Sequence, residues 1–410
     1  MPELVERVWE PSGPSYLRSR RDAKPFRYEA YVPDPIADLD PALPAFTAGA
    51  VESAAIAARR LDEARGIDDL EPIAAILLRA ESVASSRIEG LRVSHRRLEE
   101  AIVAPKAARR TAIEIVQNIK AMSWAIEVGT QPSALTVDDI LEVHRVLLDT
   151  KWDREHAGRV RTEQNWIGVG NTPRRADFIP PPEDRLEGLL EDLVAFCNRS
   201  ELSAIVQAAI AHAQFETIHP FVDGNGRAGR CLVHIILRRR GISTRVVPPI
   251  SVVLAANATR YVEGLTAYRG QRAEEWIDAF AEATEIAAGR AVDLASSITD
   301  LREDWLQRAG QPRAKAAARK LIEGLIQHPI LTVQSAEQIA KVSNEAARLA
   351  LMRLDKASVV KQITLGKRNR AWAAEEVFDL LDEFDMSIGS LDGERGSRPA
   401  PSRHLRDRRA

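Results

Sequence analysis

Apolar positions recur at helical spacing over most of this 410-residue chain. Residues 48–148 are dominated by Ala, Leu, Ile, Glu and Arg, which favour helix, and one helix is predicted over 73–87 with Gly90 as its stop signal. Helical patterns return at 183–198, 202–218 and 227–240. Residues 11–45 are instead rich in Pro, Arg and Tyr, which predicts an extended arm lying on a helical body.

The helical pattern is interrupted between residues 151 and 182. This stretch contains several glycines, an Asn-Thr-Pro sequence and three consecutive prolines, so it cannot continue a helix. Two short apolar runs, 165–169 and 176–179, flank the Asn-Thr-Pro sequence and predict a β-hairpin. A long irregular segment inside a helical body is usually functional.

The last part of the chain has the pattern of a separate unit. Helices are predicted at 314–327, 335–341 and 344–355, followed by strands at 359–364 and 370–373. This order is the outline of a winged helix-turn-helix. After Ser387 the sequence is Gly, Ser, Pro and Arg, with too little apolar surface to fold. We therefore predict an N-terminal helical region over 1–110, a core over 111–290, a linker helix and winged helix over 291–386, and a disordered basic tail over 387–410.

Composition narrows the class of protein. The chain has 57 Lys and Arg residues and 59 Asp and Glu residues. This balance excludes a protein whose whole surface binds polyanions such as nucleic acids. Two cysteines, Cys197 and Cys231, cannot form a disulfide framework. The chain has no apolar run long enough for a membrane span and no signal-peptide pattern at its start. These features predict a cytoplasmic protein that does not contact membranes.

The candidate chemistry lies in the loop at 219–230, between two helical patterns. Gly224 and Gly226 allow close backbone approach, and successive N–H groups at the start of the next helix form a nest for anions. Arg227 and Arg230 are three residues apart on the first turn of that helix, where cations oppose the helix dipole. A bound polyanion is the natural reason for placing both arginines there.

Two further residues of this loop suit phosphate chemistry. Asp223 is a hard oxygen ligand beside the nest, fitted to a Mg²⁺ ion that bridges phosphates. His219 has the side chain whose ordinary pKa suits a general base near neutral pH. Together they predict phosphoryl or nucleotidyl transfer.

This segment resembles the signature of the Fic family, which reads His, x, Phe, x, Asp or Glu, Gly-Asn-Gly-Arg, x, x, Arg. Every fixed position matches: His219, Phe221, Asp223, Gly224, Asn225, Gly226, Arg227 and Arg230. The resemblance implies a mainly α-helical Fic fold with a β-hairpin flap, here followed by the C-terminal winged helix-turn-helix. It also implies transfer of AMP from Mg·ATP to a Ser, Thr or Tyr hydroxyl of a target protein, with self-modification as a side reaction.

Roles follow from the resemblance. His219 would be the base, Asp223 would hold Mg²⁺, and Arg230 would reach the γ-phosphate. The implied nucleotide site comprises Asp223, Gly224, Asn225, Gly226, Arg227, Ala228, Gly229 and Arg230, with Tyr261 near the nucleotide base. Arg269 stands where some members have a polar contact to adenine.

A second motif, Ser85-Ser86-Arg87-Ile88-Glu89-Gly90, fits the family's inhibitory pattern of Ser or Thr, three residues, Glu, then Gly or Asn. A Glu in the last turn of a helix is disfavoured by the dipole and seeks a cation. The resemblance implies that Glu89 pairs with Arg230 and denies it to ATP. Because Ser85, Glu89 and Gly90 precede the catalytic loop in the same chain, inhibition would be intramolecular.

The interrupted segment resembles the family's flap, a hairpin that lays a target segment beside the active site by strand addition. Phe178 and Ile179, before the three prolines, are its candidate docking residues. The stretch 28–90 resembles the N-terminal Fic-associated region. The family's cores often self-associate, so a homodimer is a further expectation.

Alternatives remain open at this point. A relative could use another donor, or could remove AMP with Glu89 orienting water. A different class of function is a DNA-binding regulator whose core senses nucleotide, although sensing would not require His219.

The winged helix could contact DNA through Arg348, Arg353 and a Lys367-Arg368 wing. It could instead dock a protein, and we favour this interpretation slightly because Glu345 and Asp355 lower the positive charge of the helix predicted at 344–355. The docking face would then consist of Ala346, Ala347, Leu351 and Leu354.

Overall fold

The structure, a computed structural model, describes residues 2–11, 24–63, 70–168, 170, 172–365 and 369–389. Fifteen α-helices lie within these ranges: α1 (Ala45–Glu63), α2 (Leu70–Ile88), α3 (His95–Val103), α4 (Arg110–Thr130), α5 (Val137–Leu147), α6 (Leu186–Cys197), α7 (Ala204–Ile218), α8 (Asn225–Arg239), α9 (Ile250–Ala256), α10 (Ala258–Arg269), α11 (Ala273–Arg308), α12 (Ala317–Leu325), α13 (Val333–Ala340), α14 (Asn344–Lys356) and α15 (Glu375–Gly389). Seven short strands complete the described part: β1 (Glu3–Trp9), β2 (Phe26–Val32), β3 (Ile167–Gly168), β4 (Ala176–Phe178), β5 (Ile330–Leu331), β6 (Lys361–Leu365) and β7 (Asn369–Ala373). The expected mainly helical architecture is confirmed.

Helix α7 lies at the centre of the core. All fifteen of its residues are buried, because Ala, Ile, Val and Phe occupy every face and leave no polar stripe. Helices α1, α6, α8, α10 and α11 pack around it. A helix enclosed in this way is a rigid support, so the loop that follows Ile218 starts from a fixed point.

The N-terminal arm is more ordered than its sequence predicted. Strands β1 and β2 form an antiparallel hairpin with Glu3 opposite Val32 and Trp9 opposite Phe26. The connecting residues 12–23, which belong to the predicted arm, lie outside the described residues. Alternation of Val5, Arg7 and Trp9 with more exposed neighbours is the signal that identifies β1.

The predicted hairpin at 165–179 is present. Strand β3 pairs with β4 antiparallel, with Ile167 opposite Phe178. Gly168 adopts φ +125°, and a Cβ there would lie 2.6 Å from the Asp177 backbone nitrogen, so this position requires glycine. Val169 and Asn171, which the prediction placed in or beside the turn, lie outside the described residues.

Residues 317–389, here called the C-terminal unit, contain α12 to α15 and a three-stranded sheet of order β5-β7-β6. Helices α12 to α14 and strands β6 and β7 lie within a few residues of their predicted bounds. Strand β5 was missed because two residues are too few to show a periodic pattern, and helix α15 was not predicted. The interpretation as a winged helix-turn-helix stays a prediction. Helix α11 runs without a break across residue 290, where we placed a domain boundary.

Two expectations about the C-terminal unit were wrong. Ala347, Leu351 and Leu354 are buried within the unit and cannot be a docking face; Leu349 and Met352 are the exposed apolar residues of α14. Residues 387–389 end α15 and do not begin the tail. Residues 390–410 and the Lys367-Arg368 wing lie outside the described residues.

Both cysteines are buried thiols, and burial raises the pKa of Cys231 to about 12. Among the described residues, no helix combines the length and the apolar character that crossing a bilayer requires.

Candidate functional site

The loop after α7 is held in an unusual conformation. His219 adopts φ +49° and ψ +59°, the left-handed region that a non-glycine residue enters only at some cost. Its N–H donates to Phe215 O at 2.9 Å, which closes the end of α7. Arg161 fixes the other side, because its Nε donates to His219 O at 3.0 Å and its backbone N–H to Pro220 O at 2.9 Å. The His219 ring is therefore placed by its own backbone.

Asn225 and Phe221 brace the middle of the loop. The Asn225 amide accepts from Phe221 N and donates to Phe221 O, both at 2.8 Å. The Phe221 ring is fully buried and stacks on His144, with ring centroids 3.6 Å apart. His144 Nδ1 accepts from Gly158 N at 3.1 Å, so Nε2 carries the proton that it donates to Asp223 O at 2.9 Å.

The glycines then bring the backbone into the nest. Gly224 adopts φ +83° and precedes α8, which begins at Asn225. Asp223 Oδ1 accepts from Gly224 N at 2.7 Å and lies 3.8 Å from Arg227 Nη2. The first amides of α8 are thus presented at the loop, beside the carboxylate.

Arg227 is a buried cation with spare hydrogen-bonding capacity. Its side chain is 1% exposed, and its Nε and Nη2 have no hydrogen-bond partner within the described ranges. A buried guanidinium left in this state is costly unless an anion completes its hydrogen bonds. Arg227 therefore marks the nest as a place for a negatively charged ligand. Ala228 and Gly229 carry no polar side chain and form the buried first turn behind it.

Arg230, one turn further on, is saturated by α2. Its Nε donates to Ser85 Oγ at 2.8 Å and its Nη2 donates to Ser85 O at 2.7 Å. Nη2 also donates to Glu89 Oε1 at 2.9 Å. The predicted motif residues Ser85 and Glu89 are thus both brought onto Arg230.

The end of α2 explains where Glu89 points. Gly90 adopts φ +77°, Gly90 N–H donates to Arg87 O and Leu91 N–H donates to Ser86 O, each at 2.9 Å. This pair of bonds is a Schellman motif, in which Glu89, directly after Ile88, is the C-cap residue and Gly90 is the left-handed residue that follows it. The Glu89 carboxylate projects from the helix end onto Gly226, where an added Cβ would lie 1.9 Å from Oε1.

Buried polar contacts fix α2 on the core. Glu81 Oε1 lies 2.9 Å from His234 Nε2 on α8, and Glu81 Oε2 accepts from Ser251 N on α9 at 2.7 Å. Asn118 on α4 donates to Ser82 O at 2.8 Å and to Ser86 Oγ at 3.0 Å. These contacts fix the body of α2 as far as Ser86.

The electrostatics of the loop favour a neutral histidine. Burial, together with the positive charges of Arg161 and Arg269, lowers the pKa of His219 to about 3. Its Nδ1 is buried without a hydrogen-bond partner in the part of the chain that the structure describes. An unprotonated ring nitrogen held at this point is ready to accept a proton.

A second buried carboxylate lies close by. Burial and the negative charge of Glu89 raise the pKa of Glu216 to about 7, in spite of the opposing charges of Arg230 and Arg269. Glu216 Oε1 lies 2.9 Å from the point where a Cβ on Gly229 would sit. Glu216 therefore carries a proton for much of the time at neutral pH.

Phe178 and Ile179, the predicted docking residues of the flap, contact Arg269 and Tyr31. The Arg269 guanidinium lies 3.9 Å from the centre of the Phe178 ring, and the Tyr31 ring is 5.7 Å from it. Ile179 O accepts from Tyr31 N at 3.0 Å, so the N-terminal hairpin is joined to the flap. Tyr261 lies beneath Arg230: its hydroxyl is 3.4 Å from Arg230 Nη1 and 2.9 Å from His212 Nε2.

One carboxylate at the site, that of Asp223, is suited to bind Mg²⁺. Asp223 offers a carboxylate that is 35% exposed, whereas no group of three or more His, Cys, Asp or Glu side chains able to hold a metal occurs in the described ranges. Mg²⁺ is commonly held by one or two carboxylates together with substrate phosphates and water. Asp223 fits that role, with the remaining ligands supplied from outside the chain.

Sequence reasoning missed two residues that build this site, Arg161 and Glu216. Neither carries a periodic or motif signal that we used, and their roles depend on contacts across the fold. Glu216 is the one acidic residue of the mostly apolar α7, and that is the signal that could have identified it.

Fold and site together define a helical protein with an anion-binding loop at a helix start and an intramolecular helix covering it. Sequence comparison agrees: the model of the Fic/DOC family matches residues 134–237, and that of the Fic/DOC family N-terminal region matches residues 49–127. Over these two segments the chain is similar to the Fic/DOC family.

Named proteins are similar to parts of this chain. The chain is 31% identical over 156 residues to protein adenylyltransferase fic-1 of Caenorhabditis elegans, covering 37% of this chain and 29% of that protein. It is 27% identical over 287 residues to a probable protein adenylyltransferase of Aquifex aeolicus, covering 68% of this chain and 78% of that protein. It therefore spans less than a third of the length of the nematode relative. A solved Fic family protein from Desulfovibrio desulfuricans G20 has the same fold, with a TM-score of 0.52 at 20% identity over 81% of this chain and 97% of that one.

Proposed function

We propose that this protein is an adenylyltransferase that moves AMP from Mg·ATP to a hydroxyl side chain of a target protein, and that Glu89 inhibits it. The observation that carries the proposal is the buried guanidinium of Arg227, which has unused donors beside the amides of α8 and next to an unprotonated His219. The names of the adenylyltransferase relatives support it.

Binding of the nucleotide follows from the nest. The amides of Gly224 to Gly226 and the Arg227 guanidinium would bind phosphate oxygens, where they stabilise the charge that develops during transfer. Arg230, once released from Glu89, would bind the γ-phosphate. Mg²⁺ held by Asp223 would neutralise phosphate charge when bound.

Transfer itself requires a base and a hydroxyl. The target hydroxyl oxygen attacks the α-phosphorus of ATP, the bond from that phosphorus to the bridging oxygen of the β-phosphate breaks, and pyrophosphate leaves. His219 accepts the hydroxyl proton on an unprotonated ring nitrogen. Because the negative phosphates raise the low pKa of His219 when they bind, the ring becomes a stronger base only in the loaded enzyme.

Inhibition follows from the position of Glu89. Its carboxylate occupies the surface of Gly226 and takes one of the donors of Arg230, so both the nest and the γ-phosphate contact are blocked. A negative group at this point also repels the phosphates. ATP would then bind weakly or in an arrangement that places the α-phosphorus away from His219.

Intact-mass spectrometry tests the proposal. The Glu89→Gly variant, incubated with Mg·ATP, should gain the mass of one AMP residue on itself, and Glu89→Gly with His219→Ala should gain none. A matched pair of reactions with GTP and CTP tests the donor. If Glu89→Gly gains no mass with any of these nucleotides, the transferase proposal is wrong. Loss of an AMP group from a previously modified protein on incubation with wild type would instead favour the reverse, hydrolytic activity.

A further inference from the structure

Helix α15, the last helix among the described residues, contacts the last turn of α2. The Asp385 carboxylate on α15 forms an ion pair with Arg87 and lies 3.4 Å from His95 Nε2 on α3. The Asp385 side chain is 13% exposed and that of Arg87 is 35% exposed, so this pair is partly shielded from solvent and salt. Arg87 is two residues before Glu89, within the same helical turn.

Two more polar contacts join the C-terminal unit to the inhibitory region. Arg96 on α3 forms a bidentate pair with Glu375 at the start of α15, with distances of 2.6 and 2.7 Å. Arg79 on α2 donates to Gln327 O at 3.0 Å, in the segment between α12 and β5. The C-terminal unit therefore contacts α2 at its middle, through Arg79, and at its last turn, through Arg87.

The apolar contacts follow the same arrangement. Ile76, Leu77 and Ala84 of α2 belong to a buried cluster that includes Leu321 of α12 and Phe384 of α15, together with residues of α9 and α11. Helix α2 also packs against α4 and α8. Helix α2 thus lies between the candidate site and the C-terminal unit and touches both.

Only the last turn of α2 can respond to a change in its contacts with the C-terminal unit. The core contacts of Glu81 and Asn118 fix the helix as far as Ser86, as described above. Beyond Ser86 the side-chain ion pairs are Arg87 with Asp385 and Glu89 with Arg230, one towards each neighbour. Loosening the first releases the same turn that carries the second.

We propose that the C-terminal unit is a clamp on the inhibitory turn: α15 holds the turn 87–90 in place through Asp385, and so keeps Glu89 on Arg230. This inference rests on the proposed function, and it assigns to the C-terminal unit the control of that site. A carboxylate that is 34% exposed and bound to one guanidinium nitrogen exchanges between bound and released states. Contacts at Arg87 set the balance between them.

The test measures initial rates of self-labelling by α-labelled ATP in the full chain. Asp385→Asn and Arg87→Gln should each raise the rate roughly fivefold, since a partly buried ion pair of this kind contributes on the order of a fivefold population shift. The matched control, Asp382→Asn, alters an exposed carboxylate of the same helix and should leave the rate unchanged. In a Glu89→Gly background, Asp385→Asn should have no effect.

Hydrogen exchange gives a readout that does not depend on catalysis. Amides of residues 87–91 should exchange faster in Asp385→Asn and Arg87→Gln than in wild type or Asp382→Asn, while amides of 76–84 stay protected. If Glu89→Gly takes up no label, the transferase proposal fails, and exchange alone decides the clamp. The clamp is wrong if exchange at 87–91 is unchanged, or if Asp385→Asn raises labelling equally with and without Glu89.

Discussion

Glu89 and Gly226 share one small volume: a Cβ on Gly226 would lie 1.9 Å from Glu89 Oε1 and 3.0 Å from Arg230 Nη1. The Glu89 carboxylate is therefore seated directly on the backbone of the candidate phosphate nest. Under the proposed function, inhibition and nucleotide binding would use the same surface, so a substitution at either residue should affect the other.

The first prediction uses this shared volume. Gly226→Ala should destabilise wild type by roughly 1 kcal/mol, because the new methyl group displaces the end of the Glu89 side chain from Arg230, which keeps its two bonds to Ser85. The same substitution in Glu89→Gly should cost clearly less. Urea denaturation of the four proteins in this double-mutant cycle measures the coupling, and equal costs in both backgrounds would contradict the geometry.

The second prediction concerns the brace of the loop. Asn225→Ala removes both hydrogen bonds to Phe221 and leaves its buried backbone N–H unsatisfied, at a cost of about 1 to 3 kcal/mol, while the C=O keeps the bond that it accepts from Asn165 Nδ2 at 3.0 Å. We expect a lower melting temperature and loss of self-labelling in a Glu89→Gly background. Thr266→Ala, which removes a hydroxyl bonded to Val262 O on an exposed face of α10, is the matched control and should change neither.

The third prediction follows from the raised pKa of Glu216, which is about 7 in the folded protein and about 4.3 in an unfolded chain. The folded state binds this proton more tightly, so the stabilisation is complete below about pH 4 and is lost as the pH rises through about 7. Glu216→Gln removes this loss. Relative to wild type, the variant should therefore gain roughly 2 to 4 kcal/mol of unfolding free energy between pH 4 and pH 8. A difference that is the same at both pH values would show that folding does not raise the pKa of Glu216.

The fourth prediction concerns the base. Because the pKa of His219 is lowered to about 3 by burial and by Arg161 and Arg269, the ring of the free enzyme is unprotonated throughout the neutral range. The kcat/KM of Glu89→Gly should therefore show no acid limb from His219 between pH 8 and pH 5.5. Removing one cation, in Arg269→Gln, should move the limb to higher pH. An acid limb centred near pH 6.5 in the unmodified loop would show that the ring is ordinary and solvated.

The sequence was most informative where local rules act alone. The sequence predicted the end of α2 at Gly90 and the loop-to-helix junction at 219–230. Both depend on the backbone conformation of neighbouring residues, which a local sequence pattern indicates. The pairing of Glu89 with Arg230 came from the family resemblance and is present as a contact, although its inhibitory role stays a proposal.

Other features could not be predicted, because they depend on which elements meet. Nothing near Arg161 in the sequence shows that it will bond to His219 O, 58 residues away. Strand β1 is defined by its partner β2 more than by its own propensity. The docking face of α14 was misassigned because an amphipathic pattern shows that a helix has an apolar side without showing that its own unit already covers Ala347 and Leu351.

One measurement tests the central claim most directly, namely that Glu89 withholds Arg230 from a nucleotide that His219 would use. Label from α-labelled ATP with Mg²⁺ is counted on wild type, on Glu89→Gly, and on Glu89→Gly with His219→Ala. The account predicts weak labelling of wild type, strong labelling of Glu89→Gly and none of the double variant. If Glu89→Gly takes up no more label than wild type, the contact between Glu89 and Arg230 does not inhibit this protein.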